Sequence, residues 1–590
     1  MKYNWSYEEI DPELLTEYMQ QLNVSKILAS KLIHKNMSID VALWILEHSY
    51  EFIDEPIYMQ NMDRAAALLS EYILKKKAVI MIFGDYDTDG LTSTTILCRA
   101  LTQISSQLNP DGEIELYYHV PERAEGYGLS VKFAEGFCEI AKRQPDVPHL
   151  LITVDNGITA KPAVDILQTA PNMEILITDH HLPDYENNLT PEHCICVDPN
   201  IEENSPGKCL AGCGVIFNLL RYLENMLRLE HDVTDSLLYL AAIGTIGDMM
   251  DINLYHACLI VQGMDQINSA FCPLWLQRMK ELAKLQKVTS KSVSFSISPF
   301  LNSCGQMGDA KIALRMLLCD DPEKIQQYVD AIYAIYNENH IMTKQAKDKV
   351  AEEIENLLKE GHKIILYPMQ TEHPGIVSKV ATSIGKMFGI PIIMWGETKE
   401  NAKDELVAGS ARNDTGFPIM NMAKEAVKMG LLNHAEGHKY AFGVGILRSK
   451  VAELQKFMDD KLQAYEKKYG DQAVVYNKNI DCIISTKDVN VANMVDLERF
   501  PFCRNLEAPI VMIKGAAIKN VRVSSYNTRN LEYTIQSPDS SYPVSIWAWN
   551  INPEQYDKTK HTKIDMIGTI ERNFMKPNYA TIQVMDLYCY

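Results

Sequence analysis

The apolar positions change their rhythm along the chain. Residues 1–75 carry apolar side chains at a spacing near 3.6, as in the run VALWIL at 41–46, and this predicts amphipathic helices. From residue 78 the apolar positions gather instead into short continuous runs. These are AVIMIF at 78–83, HLLITV at 149–154, EILIT at 174–178 and CICV at 194–197. Each run stops at a polar loop that begins with or contains an acid: GDYDTDG at 84–90, DNG at 155–157, DHH at 179–181 and DPN at 198–200. Continuous apolar strands separated by helical stretches predict an α/β unit with a mostly parallel sheet. Ligands in such sheets bind outside the carboxyl ends of the strands. Acids repeated along one such edge repel each other unless a cation sits among them.

Residues 321–360 read as one long polar helix joining two parts of the chain. A second α/β pattern follows, with strands predicted at 363–367, 391–395 and 406–412 and a helix at 376–388. Beyond about 475 the texture becomes short alternating strands with polar turns, including 521–523, 531–535 and 544–549, which predicts a small β-barrel. The division expected is an N-terminal helical segment at 1–60, a catalytic domain at 61–320, a connecting helix at 321–360, a smaller α/β domain at 361–470 and the barrel at 471–590. Tyr533, Trp547 and Trp549 read first as barrel core, with base stacking as the alternative.

Composition narrows the class. A hydrophobic content of 46% is ordinary for a protein with buried cores. A formal charge of −20 argues against a protein that coats duplex DNA through a broad basic surface, though it leaves room for a narrow basic groove. No basic stretch followed by an apolar one opens the sequence, and no run of about 18 apolar residues appears, so neither a signal peptide nor a membrane span is expected. Thirteen cysteines in so long a chain read as scattered thiols of a reducing compartment, and the expected location is cytoplasmic. Cys194, Cys196, Cys209 and Cys213 could hold zinc, but the spacing and the strand setting of the first pair favour packing.

The loop at 84–90 carries the sharpest chemistry. Asp85, Asp87 and Asp89 alternate along it, so the three cannot all be core residues. Hard oxygen donors suit Mg²⁺ or Mn²⁺, and imidazole from His180 and His181 shifts the balance toward Mn²⁺. A calcium-binding EF-hand loop is excluded, because Ile96 stands where its last acid would be.

The order GDYDTDG, VDNG, TDHH and GTIGDM resembles the DHH phosphoesterase superfamily. The segments PERAEGYGL at 121–129, NSCGQMG at 302–308, HPG at 373–375, GSAR at 409–412 and GHKYAFG at 437–443 resemble its RecJ branch of single-strand-specific 5′→3′ exonucleases. The resemblance runs from about residue 25 to the C-terminus. It implies a DHH domain and a DHH-associated domain facing each other across a cleft, joined by the long helix, with a C-terminal OB-like barrel. It implies two ions, Mn²⁺ or Mg²⁺, held by Asp87, Asp89, Asp155, His180 and Asp248, with Asp155 bridging and Asp85 in the same cluster. His181 would stand at the scissile phosphate. Arg123, Ser410 and Arg412 would hold a 5′-phosphate, while His373, His438 and Asn302 would line the substrate path. Implied partners are single-stranded DNA and a single-strand-binding protein or helicase, and the implied state is a monomer.

The sequence also departs from that pattern. Phe83 stands where many relatives carry histidine, and Phe300 and Gln306 stand where arginines are expected, so one metal's coordination and the 5′-phosphate grip both differ from the pattern. Glu436 precedes Gly437 where a second glycine is usual. Other readings are a DHH phosphodiesterase for short oligonucleotides or cyclic dinucleotides, against which the terminal barrel speaks, and a non-catalytic scaffold, which would be expected to lose the acids this chain keeps. No Walker A loop is present, so ATP dependence is not expected.

Overall fold

The computed structural model describes residues 3–47, 49–122, 125–126, 128–413, 415–470, 476–502, 506–523, 530–548, 561–573 and 579–590. The chain divides into two compact units, one of Ser38–Tyr336 with Glu498–Glu507, the other of Met1–Met37, Asn337–Leu497 and Ala508–Tyr590.

The chain begins with a strand, β1 (Tyr3–Tyr7), where the helical rhythm of the first 75 residues gives no sign of one. Its partner lies far along the sequence, in the second of the two units above. The remaining described elements of that stretch are helices, among them Pro12–Leu22, Lys26–His34 and Met62–Ile73.

The Ser38–Tyr336 unit is built on a five-stranded sheet of β2 (Lys77–Phe83), β3 (Glu113–His119), β4 (His149–Val154), β5 (Met173–Thr178) and β6 (Ile195–Val197). The strands are all parallel, in the order β3-β2-β4-β5-β6. Four of them match the apolar runs. The fifth, β3, escaped that pattern because its residues are mostly half-buried or exposed, so it has no continuous apolar run. One face of the sheet packs Val79, Phe83, Leu151, Ile175 and Ile177 against the helix Val131–Arg143. The helices Thr88–Leu108, Gly212–Leu227 and Asp232–Gly247 form a second, heavily buried layer.

The predicted connector is a single helix, Pro322–Lys359, with residues in both units. The second unit contains a mixed sheet of β7 (Ile365–Gln370), β8 (Ile392–Glu397), β9 (Leu406–Arg412), β10 (Leu432–His438) and β11 (Ala441–Leu447) in the order β10-β11-β9-β8-β7. Only β7 and β8 are parallel; the other pairs are antiparallel. Val407, Ala411, Phe442 and Val444 face the helices Ile419–Lys428 and Val451–Tyr469. Met394 and Ile392 face the helix Val377–Phe388.

The C-terminal strands are β12 (Tyr476–Ile480), β13 (Cys482–Ile484), β14 (Ile510–Val523), β15 (Leu531–Gln536), β16 (Val544–Ala548), β17 (Lys563–Arg572) and β18 (Ala580–Cys589). Five of them form an antiparallel half-barrel in the order β16-β15-β14-β17-β18, with β13 parallel to β14. Tyr533 is fully buried in it, so it is core; Trp549 lies outside the described residues. β1 pairs in parallel with β12. The same region holds a buried ion pair, Lys31 Nζ to Asp481 Oδ2 at 3.1 Å, and Asp481 Oδ2 also accepts from the Ile510 amide.

Candidate metal centre

The carboxyl ends of β2, β4 and β5 lie side by side, and the acids that follow them converge there. Asp85, Asp87 and Asp89 come from the turn after β2, which runs directly into the helix Thr88–Leu108. Asp87 caps that helix, accepting from the Gly90 amide at 3.1 Å. Asp89 lies in its first turn and points at the start of another helix, Gly212–Leu227. Its two oxygens accept from the amides of Gly212 at 2.6 Å and Cys213 at 2.9 Å, so a helix N-terminus holds this carboxylate in place. Asp155 follows β4 with a left-handed φ of 61°, a strained conformation of the kind that collects at functional sites. Gly212 makes the close approach possible: a Cβ there would stand 2.6 Å from Asp155 Cβ. Asp248 arrives from the C-terminal end of the helix Asp232–Gly247.

His180 stands at the middle of this set. Its Nε2 lies 3.1 Å from Asp155 Oδ1 and 3.7 Å from both Asp89 Oδ2 and Asp248 Oδ2. Three groups of donors have their ligand atoms within 4.8 Å of one another: Asp155, His180 and His181; Asp89, His180 and Asp248; and Asp85, Asp87 and Asp155. Asp155 belongs to two groups and His180 to two. Burial, and then repulsion from the neighbouring acids, pushes the carboxyls of Asp85, Asp87 and Asp155 above the usual carboxylate range. Asp85 is 2% exposed, and its Oδ1 has no hydrogen-bond partner. Buried carboxylates in mutual contact are costly unless a cation neutralises them. The donor set, oxygen-rich with imidazole, fits Mn²⁺ or Mg²⁺.

Asp179 does something the sequence did not reveal. Its Oδ1 accepts from the amides of His180 at 2.7 Å and His181 at 3.2 Å and faces His181 Nδ1 at 2.7 Å, while its Oδ2 accepts from the Ile158 amide at 2.9 Å. Oδ1 thus holds the backbone of both histidines and the His181 ring, while Oδ2 is anchored by the Ile158 amide. Burial opposes its charge, but His181, His180 and the amides outweigh burial and hold the carboxyl down at about 2. Burial likewise opposes the His181 imidazolium, and Asp179 overcomes it, raising the ring to about 10. The only signal available in sequence was the position of Asp179 directly before the histidine pair.

Of the other residues singled out in the sequence, Asn302 is near the acidic loop. It lies on the helix Ser298–Met307, and its Oδ1 accepts from Thr88 Oγ1 at 2.8 Å. Arg123 lies outside the described residues. His373, Ser410, Arg412 and His438 belong to the second unit. Ser410 and Arg412 are on β9, His373 precedes the short turn Pro374–Ile376, and His438 ends β10 with its side chain outside what is described. Arg412 Nε donates to Thr382 Oγ1 at 3.1 Å and Nη1 to the Ala411 carbonyl at 2.7 Å. It has no ion pair among the described residues, and burial alone pushes it down to about 10.

Phe83, where the resemblance leads one to expect histidine, is 1% exposed. It stacks on His119 at 5.3 Å and meets Phe133 edge-on at 4.6 Å, so it belongs to the apolar layer. Phe300 is equally buried, 6.4 Å from the Tyr336 ring. The four clustered cysteines do not gather. Cys194 and Cys196 touch at 3.6 Å, Cys213 donates to the Ala241 carbonyl, and no donor group among the described residues contains a thiol.

Comparison with known families matches three segments. Residues 79–245 match the DHH family N-terminal domain, 361–464 the DHHA1 domain and 480–586 the RecJ OB domain. The chain is 26% identical to the single-stranded-DNA-specific exonuclease RecJ of Bacillus subtilis over 97% of this chain and 69% of that one. It is 28% identical to the same-named protein of Haemophilus influenzae over 92% of both chains. The crystal structure of RecJ in complex with Mn²⁺ from Thermus thermophilus superposes with a TM-score of 0.76 at 22% identity, covering 99% of this chain and 79% of that one.

Proposed function

The chain belongs to the RecJ group of metal-dependent DHH phosphoesterases, and from that premise we propose that it hydrolyses single-stranded DNA from the 5′ end, releasing 5′-mononucleotides. The observation that carries this reading is the convergence of three carboxylate-bearing segments, through Asp89, Asp155 and Asp248, on His180 at the carboxyl edge of the parallel sheet. Asp87, Asp89, Asp155, His180 and Asp248 would hold two Mn²⁺ or Mg²⁺ ions in this reading, with Asp85 beside them and Asp155 belonging to two of the donor groups. Bound there, such ions activate water at neutral pH and neutralise charge on the phosphodiester oxygens.

The chain's own residues do the rest. The Gly212 and Cys213 amides fix Asp89, and Asp179 fixes both histidines, so the ligands are set before substrate arrives. His181 turns Nδ1 to Asp179, which leaves Nε2 as a proton donor to a phosphate oxygen or the leaving oxygen. Ser410 and Arg412 take the 5′-phosphate. Arg412 suits this because its guanidinium is partly buried, held among the described residues only by neutral partners, and able to bind two phosphate oxygens at once. Arg123 is a further 5′-phosphate contact in this reading, and Asn302, His373 and His438 line the substrate path. A non-catalytic scaffold is disfavoured by the complete set of acids.

The test is hydrolysis with Mn²⁺ of 5′-labelled and 3′-labelled single strands and of a duplex. Mononucleotides released from the 5′ end of single strands alone are expected. Asp155→Asn is expected to abolish cleavage while leaving the circular dichroism spectrum unchanged. Attack from the 3′ end, or an active Asp155→Asn, overturns the reading.

A further inference from the structure

We propose that Lys379 is a phosphate contact for the DNA strand, working beside Arg412 on the second unit. The inference rests on the strand-binding reading above and adds a residue to it. Lys379 lies in the first turn of the helix Val377–Phe388. Its Nζ donates to Asn339 Oδ1 at 2.8 Å, and Asn339 is buried on the long helix Pro322–Lys359. Thr382, three residues on, accepts from Arg412 Nε. A spacing of three puts Lys379 and Thr382 on one side of the helix. A lysine of the helix and an arginine of β9 are therefore both held along one stripe.

What the two cations lack decides the argument. Among the described residues neither makes an ion pair. Their partners are the Asn339 amide, the Thr382 hydroxyl and the Ala411 carbonyl. Burial is the only influence on either, and it brings the Lys379 ammonium down to about 8. The chain has 77 acids for 57 basic residues, so a shortage of carboxylates does not explain it. A cation partly withdrawn from water and bonded only to neutral groups is incompletely compensated. A phosphodiester oxygen supplies the missing charge. Lysine suits an internal phosphate, as a compact charge with three rotatable donors, while the arginine fork suits a terminal phosphate.

The experiment measures equilibrium binding of a 5′-phosphorylated single-stranded oligonucleotide to the full chain in EDTA, over a range of salt concentrations. Lys379→Gln is expected to weaken binding severalfold and to lower the slope of log affinity against log salt by about 0.7, the value of one single-strand phosphate contact. Lys379→Arg is expected to restore both. A set of strands, each with one methylphosphonate, provides the readout that a purely structural lysine would not move. The wild type should lose affinity at one position, and Lys379→Gln should not. An unchanged slope, or a methylphosphonate penalty that persists in Lys379→Gln, overturns the inference while leaving the exonuclease reading intact. A wild-type chain that binds no single strand overturns both.

Discussion

Asp179 separates orienting the histidines from holding an ion. Its four contacts go to the His180, His181 and Ile158 amides and the His181 imidazole, and it is in none of the donor groups found among the described residues. Asp179→Asn keeps the shape but loses the charge that fixes the His181 ring. Supporting residues of this kind typically cost 10–100-fold in metal affinity or activity when replaced. We expect about that loss in Mn²⁺ titrations and in kcat/KM, against complete loss for Asp155→Asn. Equal losses in the two variants would make Asp179 a ligand instead. His256 sets a different kind of residue-scale expectation. It is 1% exposed, neither ring nitrogen has a hydrogen-bond partner, and burial lowers its proton affinity from 6.5 to about 4. The unfolded chain takes up this proton near pH 6.5 and the folded chain only near pH 4. Stability is therefore full above 6.5 and falls as pH drops toward 4, by about 3 kcal/mol from this one group. His256→Leu should flatten denaturant stability across that window, and an unchanged profile would remove His256 as the cause.

At the scale of elements, the site depends on how closely the helix Ser298–Met307 approaches the acidic loop. A Cβ on Gly305 would lie 2.8 Å from the Tyr86 carbonyl oxygen, a backbone atom with little room to give. Gly305→Ala is expected to cost about 1–3 kcal/mol of overpacking and to shift the loop that bears Asp85 and Asp87. Activity should fall by more than the melting temperature suggests, measured as kcat/KM beside thermal unfolding. Elements also show what the sequence could and could not reveal. The continuous apolar runs of β2, β4, β5 and β6 were legible because a parallel strand is buried on both faces. The half-exposed edge strand β3 carries no such run, and the hairpin of β10 and β11 is built around glycines and small residues, so neither stood out. The acids proposed to hold metal stood out in the sequence because acids at consecutive strand ends need a reason. Asp179 and Lys379 were not, since their meaning lies in which partners they find or lack in space.

The whole molecule is joined in ways no local pattern records. Residues 1–37 belong to the unit that contains the DHHA1 and OB domains, held there by the β1–β12 pair and by Lys31 against Asp481, whose side chains are 6% and 4% exposed. Removing one partner of a buried pair typically costs 3–5 kcal/mol, because the other charge stays buried. Asp481 keeps the Ile510 amide and has His34 Nδ1 at 3.5 Å, so Lys31→Ala is expected near the lower end, about 3 kcal/mol in denaturant unfolding. A loss under about 0.5 kcal/mol would show that the pair is screened by solvent.

The pairing of β1 with β12 also sets an order of events during synthesis. Tyr7 leaves the ribosome 469 residues before Tyr476. At about 5–20 residues per second, the first strand waits roughly 25–95 s for its partner. All of the Ser38–Tyr336 sequence emerges in that interval, including every acid and histidine proposed to hold metal. The sequence of all five strands of the parallel sheet therefore emerges while β1 is still unpaired, and the unit that contains β1 and β12 can be completed only after Ile480 has been made.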